Sequence, residues 1–175
     1  MANVLGSTIE LTNLNPKSVQ GDKKIVEITE QMCYNLKEGL PACFSVDASD
    51  IPDLVPILAV LATFGTAPSR ITGAHRLAIK ESDRLSSTAA MLNALGGDVT
   101  ATEDGLEIRP VSELHGGTVD SCGDHRIAMC AAVAATRCTG AVTILHGECV
   151  EKSYPQFYED YRQLGGNAHV IVLES

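Results

Sequence analysis

The sequence contains no tryptophan, and its aromatic residues besides histidine are three phenylalanines and four tyrosines. The core of this 175-residue chain is therefore expected to consist mainly of alanine, valine, leucine and isoleucine, which suits closely packed helices and strands. No apolar run reaches the roughly 18 residues that a membrane-spanning helix needs. The first residues, MANVLGSTIE, lack the basic and then apolar order of a signal peptide. We therefore expect a cytoplasmic protein without a membrane segment.

Basic residues are also scarce, since 13 lysines and arginines stand against 22 aspartates and glutamates and the net charge is −9. A chain this acidic is repelled by nucleic acid and by anionic membranes, so neither is expected as a partner. An anionic small molecule could bind where several cations gather locally.

Cysteine pairs at metal-binding spacing are absent. None of the six cysteines belongs to a CxxC motif, and Cys130 lies inside an apolar helical run. We expect reduced thiols that mostly pack in the interior, and no zinc site.

The sequence does contain an internal repeat with a period of roughly 70 residues. Each copy has a short strand ending in Val-Asp, a helix, a β-rich run, a charged loop, a second helix ending in Leu-Gly-Gly, and a last strand. The Val-Asp pairs are residues 46–47 and 119–120, and the Leu-Gly-Gly triplets are 95–97 and 164–166. The repeat predicts an α/β fold made of β-α-β-α-β-β units.

The unit boundaries follow from this pattern. Residues 46–115 form the second unit and 116–175 the third, while 1–45 form an incomplete first unit with a strand at 7–14 and a helix at 23–32. Because the strand and helix that should open the first unit are missing, we expect the chain to be a fragment of a longer protein.

Local patterns refine the helices. Apolar residues at helical spacing predict a helix over 83–95, with Ser82 or Asp83 as its amino-terminal cap and Gly96 as its left-handed end. Small and apolar residues on all sides predict a buried helix over 125–138. The helix after Asp53 is predicted to begin near Pro56 or to be kinked there.

Charged residues cluster at the predicted helix starts. Asp53 and the triplet 124–126 precede the first helices of the two copies, and 80–84 and 151–152 precede the second helices. Helix amino termini favour anions, and arginine can hold a carboxylate or phosphate with two parallel hydrogen bonds. We therefore expect one shared hollow that binds an anion and contains two acidic groups able to move protons.

Simpler explanations stay open for these residues. Asp53 and Asp124 could only complement helix dipoles. Glu81 and Arg84 could form an exposed ion pair at i, i+3, and His125 could be a structural histidine.

Four strings occur in a specific order: IPD at 51–53, KESDR at 80–84, GDHRIAM at 123–129 and EKSYPQF at 151–157. Together they resemble the C-terminal domain of the 5-enolpyruvylshikimate-3-phosphate synthase family. The resemblance implies two similar domains, each with three β-α-β-α-β-β units around buried parallel helices in an inside-out α/β barrel. It also implies that 1–175 is a single C-terminal domain, that the N-terminal domain is absent, and that a short hairpin lies near 34–43.

The reaction implied by the resemblance transfers the enolpyruvyl group of phosphoenolpyruvate to the 5-hydroxyl of shikimate 3-phosphate in aromatic amino acid biosynthesis. It releases phosphate and needs no metal or redox cofactor. The implied catalytic residues are Asp53 for the hydroxyl proton and Glu81 for the methylene proton. The implied ligands of shikimate 3-phosphate are Asp53, Lys80 and Arg76, where Arg76 replaces a polar residue of the family pattern. The implied ligands of phosphoenolpyruvate are Arg84, Arg126 and Lys152, supported by His125.

Two alternatives remain at this stage. The first is an enolpyruvyl transferase that acts on UDP-N-acetylglucosamine, and the second is a non-catalytic binding or assembly domain of the same fold. If the resemblance to the synthase family holds, we expect this chain alone to hold half of the active site and to have negligible activity.

Overall fold

The structure is a computed structural model that describes residues 15, 18–80, 82–169 and 171. Within these residues the α-helices are α1 (Lys24–Lys37), α2 (Val55–Thr63), α3 (Arg84–Ala94), α4 (His125–Ala135) and α5 (Phe157–Gln163). The strands are β1 (Ser45–Asp47), β2 (Ser69–Thr72), β3 (Asp98–Ala101), β4 (Leu106–Arg109), β5 (Gly117–Asp120) and β6 (Val142–Leu145). Short 3₁₀ helices cover Gly21–Lys23, Pro52–Leu54, His75–Ile79 and Gly147–Lys152.

The first sheet has the strand order β1-β2-β4-β3. β1 and β2 are parallel, with Val46 opposite Ile71, and α2 forms the crossover between them. β4 pairs antiparallel with both β2 and β3. The chain from Ser45 to Arg109 thus has the predicted β-α-β-α-β-β order, and the α/β fold class is confirmed.

The second sheet repeats the opening of this unit. β5 and β6 are parallel, with Val119 opposite Ile144, and α4 connects them. The strand predicted at 7–14 lies outside the described residues, and so does most of the strand predicted to close the chain. The positions of the unit boundaries stay a prediction.

The core is formed where α2, α3 and α4 contact one another and the sheets. In α2 nearly every residue is buried, and Leu58 and Val60 have no exposed surface. In α4 the predominant buried residue is alanine, which lets neighbouring helices approach closely. Full burial of Leu58 or Ile127 contributes about 1.5–3 kcal/mol each. The expectation of a core with few aromatic residues is met.

Three local predictions agree with the structure. α2 begins at Val55, so Pro56 lies in the first turn, where its missing N–H costs nothing. Asp83 rather than Ser82 caps α3, because its carboxylate accepts the backbone N–H of Ser86 at 3.2 Å. Gly96 follows α3 with a left-handed φ of 88°.

The hairpin expected near 34–43 is wrong. Helix α1 continues five residues beyond the predicted 23–32 segment and includes Tyr34–Lys37, and no strand follows it before Ser45. Gly39 adopts a left-handed φ of 68°, which suits a helix end, and Pro41 prevents the helix from resuming. A capping glycine followed by proline therefore outweighed the hairpin pattern of the family.

The six cysteines are free thiols, of which Cys130 and Cys149 are buried and Cys122 is exposed. Burial raises the pKa of Cys130 to about 12, so this thiol stays protonated and packs as a small apolar group. Across the described parts of the chain, no helix has both the length and the apolar character needed to cross a bilayer.

Candidate functional site

Asp53 lies in the 3₁₀ turn Pro52–Leu54 that leads into α2. Proline at the start of this turn restricts the backbone and places the next side chain at the amino-terminal end of the helix. The Asp53 side chain is 37% exposed, so its carboxylate can be reached from solvent.

Arg84 is the first residue of α3, yet its side chain is only 1% exposed. Its Nε donates to Asp124 Oδ2 at 2.8 Å, and its Nη1 donates to Asp53 Oδ1 at 3.1 Å. A buried guanidinium without such partners would be strongly destabilising. The two aspartates therefore make it possible for the positive charge of Arg84 to lie inside the protein.

Asp124 caps the amino terminus of α4 and has no exposed surface. Its Oδ1 accepts the backbone N–H of Arg126 at 2.9 Å, and its Oδ2 accepts the hydroxyl of Ser82 at 3.3 Å as well as Arg84. Burial by itself would raise the pKa of Asp124, but the hydrogen bonds from Arg84 and from the Arg126 N–H outweigh it and lower the pKa. The lowered pKa favours the charged form of Asp124 inside the site.

Arg126 closes the network from α4. Its Nη2 donates to Asp53 Oδ2 at 2.7 Å, and its side chain is 33% exposed. Asp53 therefore bridges two arginines, one buried and one accessible. The starts of α2, α3 and α4 are held together by this chain of four charged groups.

Lys152 reaches the same region from a different element than expected. It is the last residue of the 3₁₀ helix Gly147–Lys152, five residues before α5 begins, rather than the start of a long helix. Its Nζ donates to the carbonyl of Gly123 at 3.0 Å, next to the Asp124 cap. An open depression of about 550 Å³ lies beside it and is also lined by Asp120 and His146.

The remaining predicted residues are placed less closely. Arg76 and Lys80 are exposed, in and just after the 3₁₀ helix His75–Ile79, and neither side chain hydrogen-bonds to another described residue. His125 is partly buried at the start of α4, and its Nδ1 is buried without a hydrogen-bond partner among the described residues. Glu81 lies outside the described residues.

Two residues of the network were not predicted as part of it. Asp124 and Ser82 belong to the charged groups predicted at the helix starts, but neither was assigned a role in the site. The Asp-His-Arg order does signal a helix cap. Its contact with Arg84, 40 positions away along the chain, exists only in the folded protein.

The chain matches a known protein family. A model of the family described as EPSP synthase (3-phosphoshikimate 1-carboxyvinyltransferase) matches residues 1–161. The chain belongs to the EPSP synthase family. The predicted resemblance is therefore confirmed at the level of the family.

Curated relatives in the family extend this result. The chain is 46% identical over 175 residues to a 3-phosphoshikimate 1-carboxyvinyltransferase of Clostridium acetobutylicum, with 96% of this chain and 41% of the relative covered. It is 43% identical to the enzyme of the same name from Clostridium novyi, with 95% and 40% covered. The chain thus spans about two fifths of the length of these relatives.

A solved structure of EPSP synthase from Acinetobacter baumannii matches with a TM-score of 0.61 and 36% identity. The match covers 66% of this chain and 27% of the solved chain. At this identity the likeness supports the fold assignment and places this chain on one part of the larger family structure.

The network suits an oxyanion better than a metal ion. Arg126 is accessible, and Lys152 adds a positive charge at the carbonyl of Gly123, just before α4. Within the described ranges, no group of three or more histidine, cysteine or acidic side chains is arranged to hold a metal ion. The accessible guanidinium group of Arg126 is chemically suited to bind an anion.

Proposed function

We propose that this chain contributes one half of the site for transfer of the enolpyruvyl group from phosphoenolpyruvate to the 5-hydroxyl of shikimate 3-phosphate. The observation that carries the proposal is the meeting of Asp53, Arg84 and Arg126 from three helix starts, in a chain of the EPSP synthase family. Both proposed substrates are phosphorylated carboxylates, so several cations are needed to position them.

In the proposed first step, Asp53 accepts the proton of the 5-hydroxyl of shikimate 3-phosphate. The oxygen of that hydroxyl bonds to C2 of phosphoenolpyruvate. Glu81 supplies a proton to the methylene carbon, which gives a tetrahedral intermediate. In the second step, the carboxylate of Glu81 takes a proton back from the methyl carbon as the bond from C2 to the phosphate oxygen breaks, and the leaving phosphate takes the proton held by Asp53. Phosphate leaves, and the enol ether remains on the acceptor.

The binding roles are part of the same proposal. Arg126 and Lys152 bind the phosphoenolpyruvate anion together with Arg84, which acts from its buried position. Lys80 and Arg76 are exposed and so can reach shikimate 3-phosphate. His125 supports the arginine beside it. The remaining ligands come from a segment that corresponds to the part of the relatives not matched by this chain.

A chimaera tests the proposal. The segment of the C. acetobutylicum relative that aligns with this chain is replaced by the present 175 residues, and phosphate release is measured with phosphoenolpyruvate and shikimate 3-phosphate. We expect turnover by the chimaera and none by the isolated chain. We expect no product with UDP-N-acetylglucosamine, the acceptor of the alternative transferase. An inactive but folded chimaera would contradict the proposal and favour a non-catalytic domain.

A matched pair of variants assigns the proton acceptor. Asp53→Asn in the chimaera is expected to lower kcat by a factor of about 10² or more, the usual scale for a general base. Asp50→Asn removes the same charge three residues earlier, from an exposed side chain outside the network, and should leave kcat unchanged. Equal losses in both variants would argue against a specific role for Asp53.

A further inference from the structure

The carboxylate of Asp53 bridges the two arginine side chains that are proposed to bind an anion. Its two oxygens accept from different arginines, Oδ1 from Arg84 at 3.1 Å and Oδ2 from Arg126 at 2.7 Å. A bound phosphate or carboxylate offers these guanidinium groups the same kind of oxygen in the same geometry.

The two arginines differ in what else holds them. Arg84 keeps a fully buried carboxylate partner in Asp124, because that pair is 1% and 0% exposed. The Arg126 side chain is paired with Asp53 alone among the described carboxylates, and both groups of this pair are about one third exposed, at 33% and 37%. An ion pair that solvent reaches in this way is weaker than the buried pair and is more easily exchanged.

The main chain of Arg126 is nevertheless fixed. Its N–H donates to Asp124 Oδ1 at 2.9 Å in the first turn of α4, so the backbone from which its side chain extends is held in place. The side chain can therefore change partner without movement of the helix.

We infer that Asp53 is an exchangeable internal counter-ion of Arg126, and that an incoming oxyanion replaces the Asp53 carboxylate on this guanidinium group. Anion affinity is then set by competition between Asp53 and the ligand for one guanidinium group. When the ligand binds, Asp53 is released from Arg126 and its oxygen becomes available for the hydroxyl of the second substrate. The inference rests on the proposed function for the identity of the natural anion, but anion binding can be measured without turnover.

Binding of inorganic phosphate to the intact 175-residue chain tests this competition. Dissociation constants are measured by ³¹P NMR titration for the wild type, Asp53→Asn and Asp50→Asn. We expect Asp53→Asn to bind phosphate about two- to fivefold more tightly, which is the scale of one exposed ion pair. Asp50→Asn has the same net charge and should change affinity less than twofold.

A double-mutant cycle separates competition from general repulsion. In an Arg126→Gln background, Asp53→Asn should raise affinity less than twofold, because the contested group is gone. A gain that persists there, or an equal gain in Asp50→Asn, would overturn the inference. If the wild type shows no saturable binding, then saturable binding by Asp53→Asn supports it and continued absence overturns it.

The wild-type chain supplies a readout that does not depend on any variant folding. In ¹⁵N NMR, the side-chain signals of Arg126 should shift more on phosphate titration than those of buried Arg84. Equal or larger shifts at Arg84 would contradict the exchange. The outcome is also independent of the chimaera assay, since an inactive chimaera can still contain a chain that passes or fails this binding test.

Discussion

Replacement of Asp124 by asparagine addresses the buried part of the network directly. Asparagine retains an oxygen for the N–H of Arg126, so the cap of α4 is largely preserved. It removes the negative charge that faces Arg84 Nε at 2.8 Å in a place where the arginine is 1% exposed. Removal of one partner from a buried ion pair costs about 3–5 kcal/mol. Because Asp53 still faces Arg84, we expect the lower end of that range.

Urea unfolding of the chain, followed by circular dichroism, measures this loss. The midpoint should fall while the slope m stays constant, since the surface exposed on unfolding does not change. Asp98→Asn is the control, because Asp98 pairs with Arg109 at 3.5 Å and both side chains are more than half exposed. That change should cost at most about 0.5 kcal/mol.

A second substitution checks the physical cause. In the Asp124→Asn background, Arg84→Met removes the buried charge that has lost its partner Asp124 and keeps an apolar stem of similar length. We expect the double variant to be more stable than Asp124→Asn by about 1 kcal/mol or more. The reasoning fails if Asp124→Asn lies within about 1 kcal/mol of the wild type, or if Arg84→Met gives no recovery.

Three further predictions concern pH and backbone. The pKa of Asp124 is lowered in the folded chain, so the stabilisation that this group contributes is present above its ordinary pKa of 3.8 and is lost as pH falls through the folded pKa. In urea unfolding at decreasing pH, the stability difference between the wild type and Asp124→Asn should therefore shrink. A hydrogen bond to Asp120 Oδ1 at 3.0 Å raises the pKa of His146, so the NMR titration of this histidine should have a midpoint above 6.5. Asp120→Asn should lower that midpoint toward 6.5. The stability contributed by this pair is lost as pH rises through the midpoint. In urea unfolding, Gly73→Ala should lower the free energy of unfolding more than Gly39→Ala. Both glycines have left-handed φ angles, but only at position 73 would a Cβ collide with Asp47 Oδ1 and Ser49 Oγ. Equal losses of stability in the two variants would refute this explanation.

Local sequence signals gave correct predictions where the outcome depends on interactions between residues close together in the chain. Asp83 caps α3, Gly96 ends it, and Pro56 lies in the first turn of α2. Each outcome depends on hydrogen bonds or φ preferences within a few residues, which the sequence displays directly. The hairpin near 34–43 failed because a family pattern was preferred to the local signal of Gly39 and Pro41.

Only part of the candidate site could be predicted from the sequence. The charged residues at helix starts could be read as a group, and the structure brings Asp53, Arg84 and Arg126 into contact. Lys152 was expected at the start of a helix but ends a 3₁₀ segment. The burial of Arg84 was not expected, since an arginine in a charged loop is normally exposed and nothing nearby in sequence signals a carboxylate 40 positions away.

The sequence by itself determined the order of strands and helices from Ser45 to Arg109, the ends of α3, and the set of ionisable groups carried at the helix starts, because these follow from periodicity and from short-range hydrogen bonding. Only the tertiary structure decided which of those groups pair and which remain accessible. Long-range packing of α2, α3 and α4 buries Arg84 between Asp124 and Asp53 and leaves Arg126 near solvent. The strength of a charge pair depends on its distance from water, and that distance is a property of the folded chain.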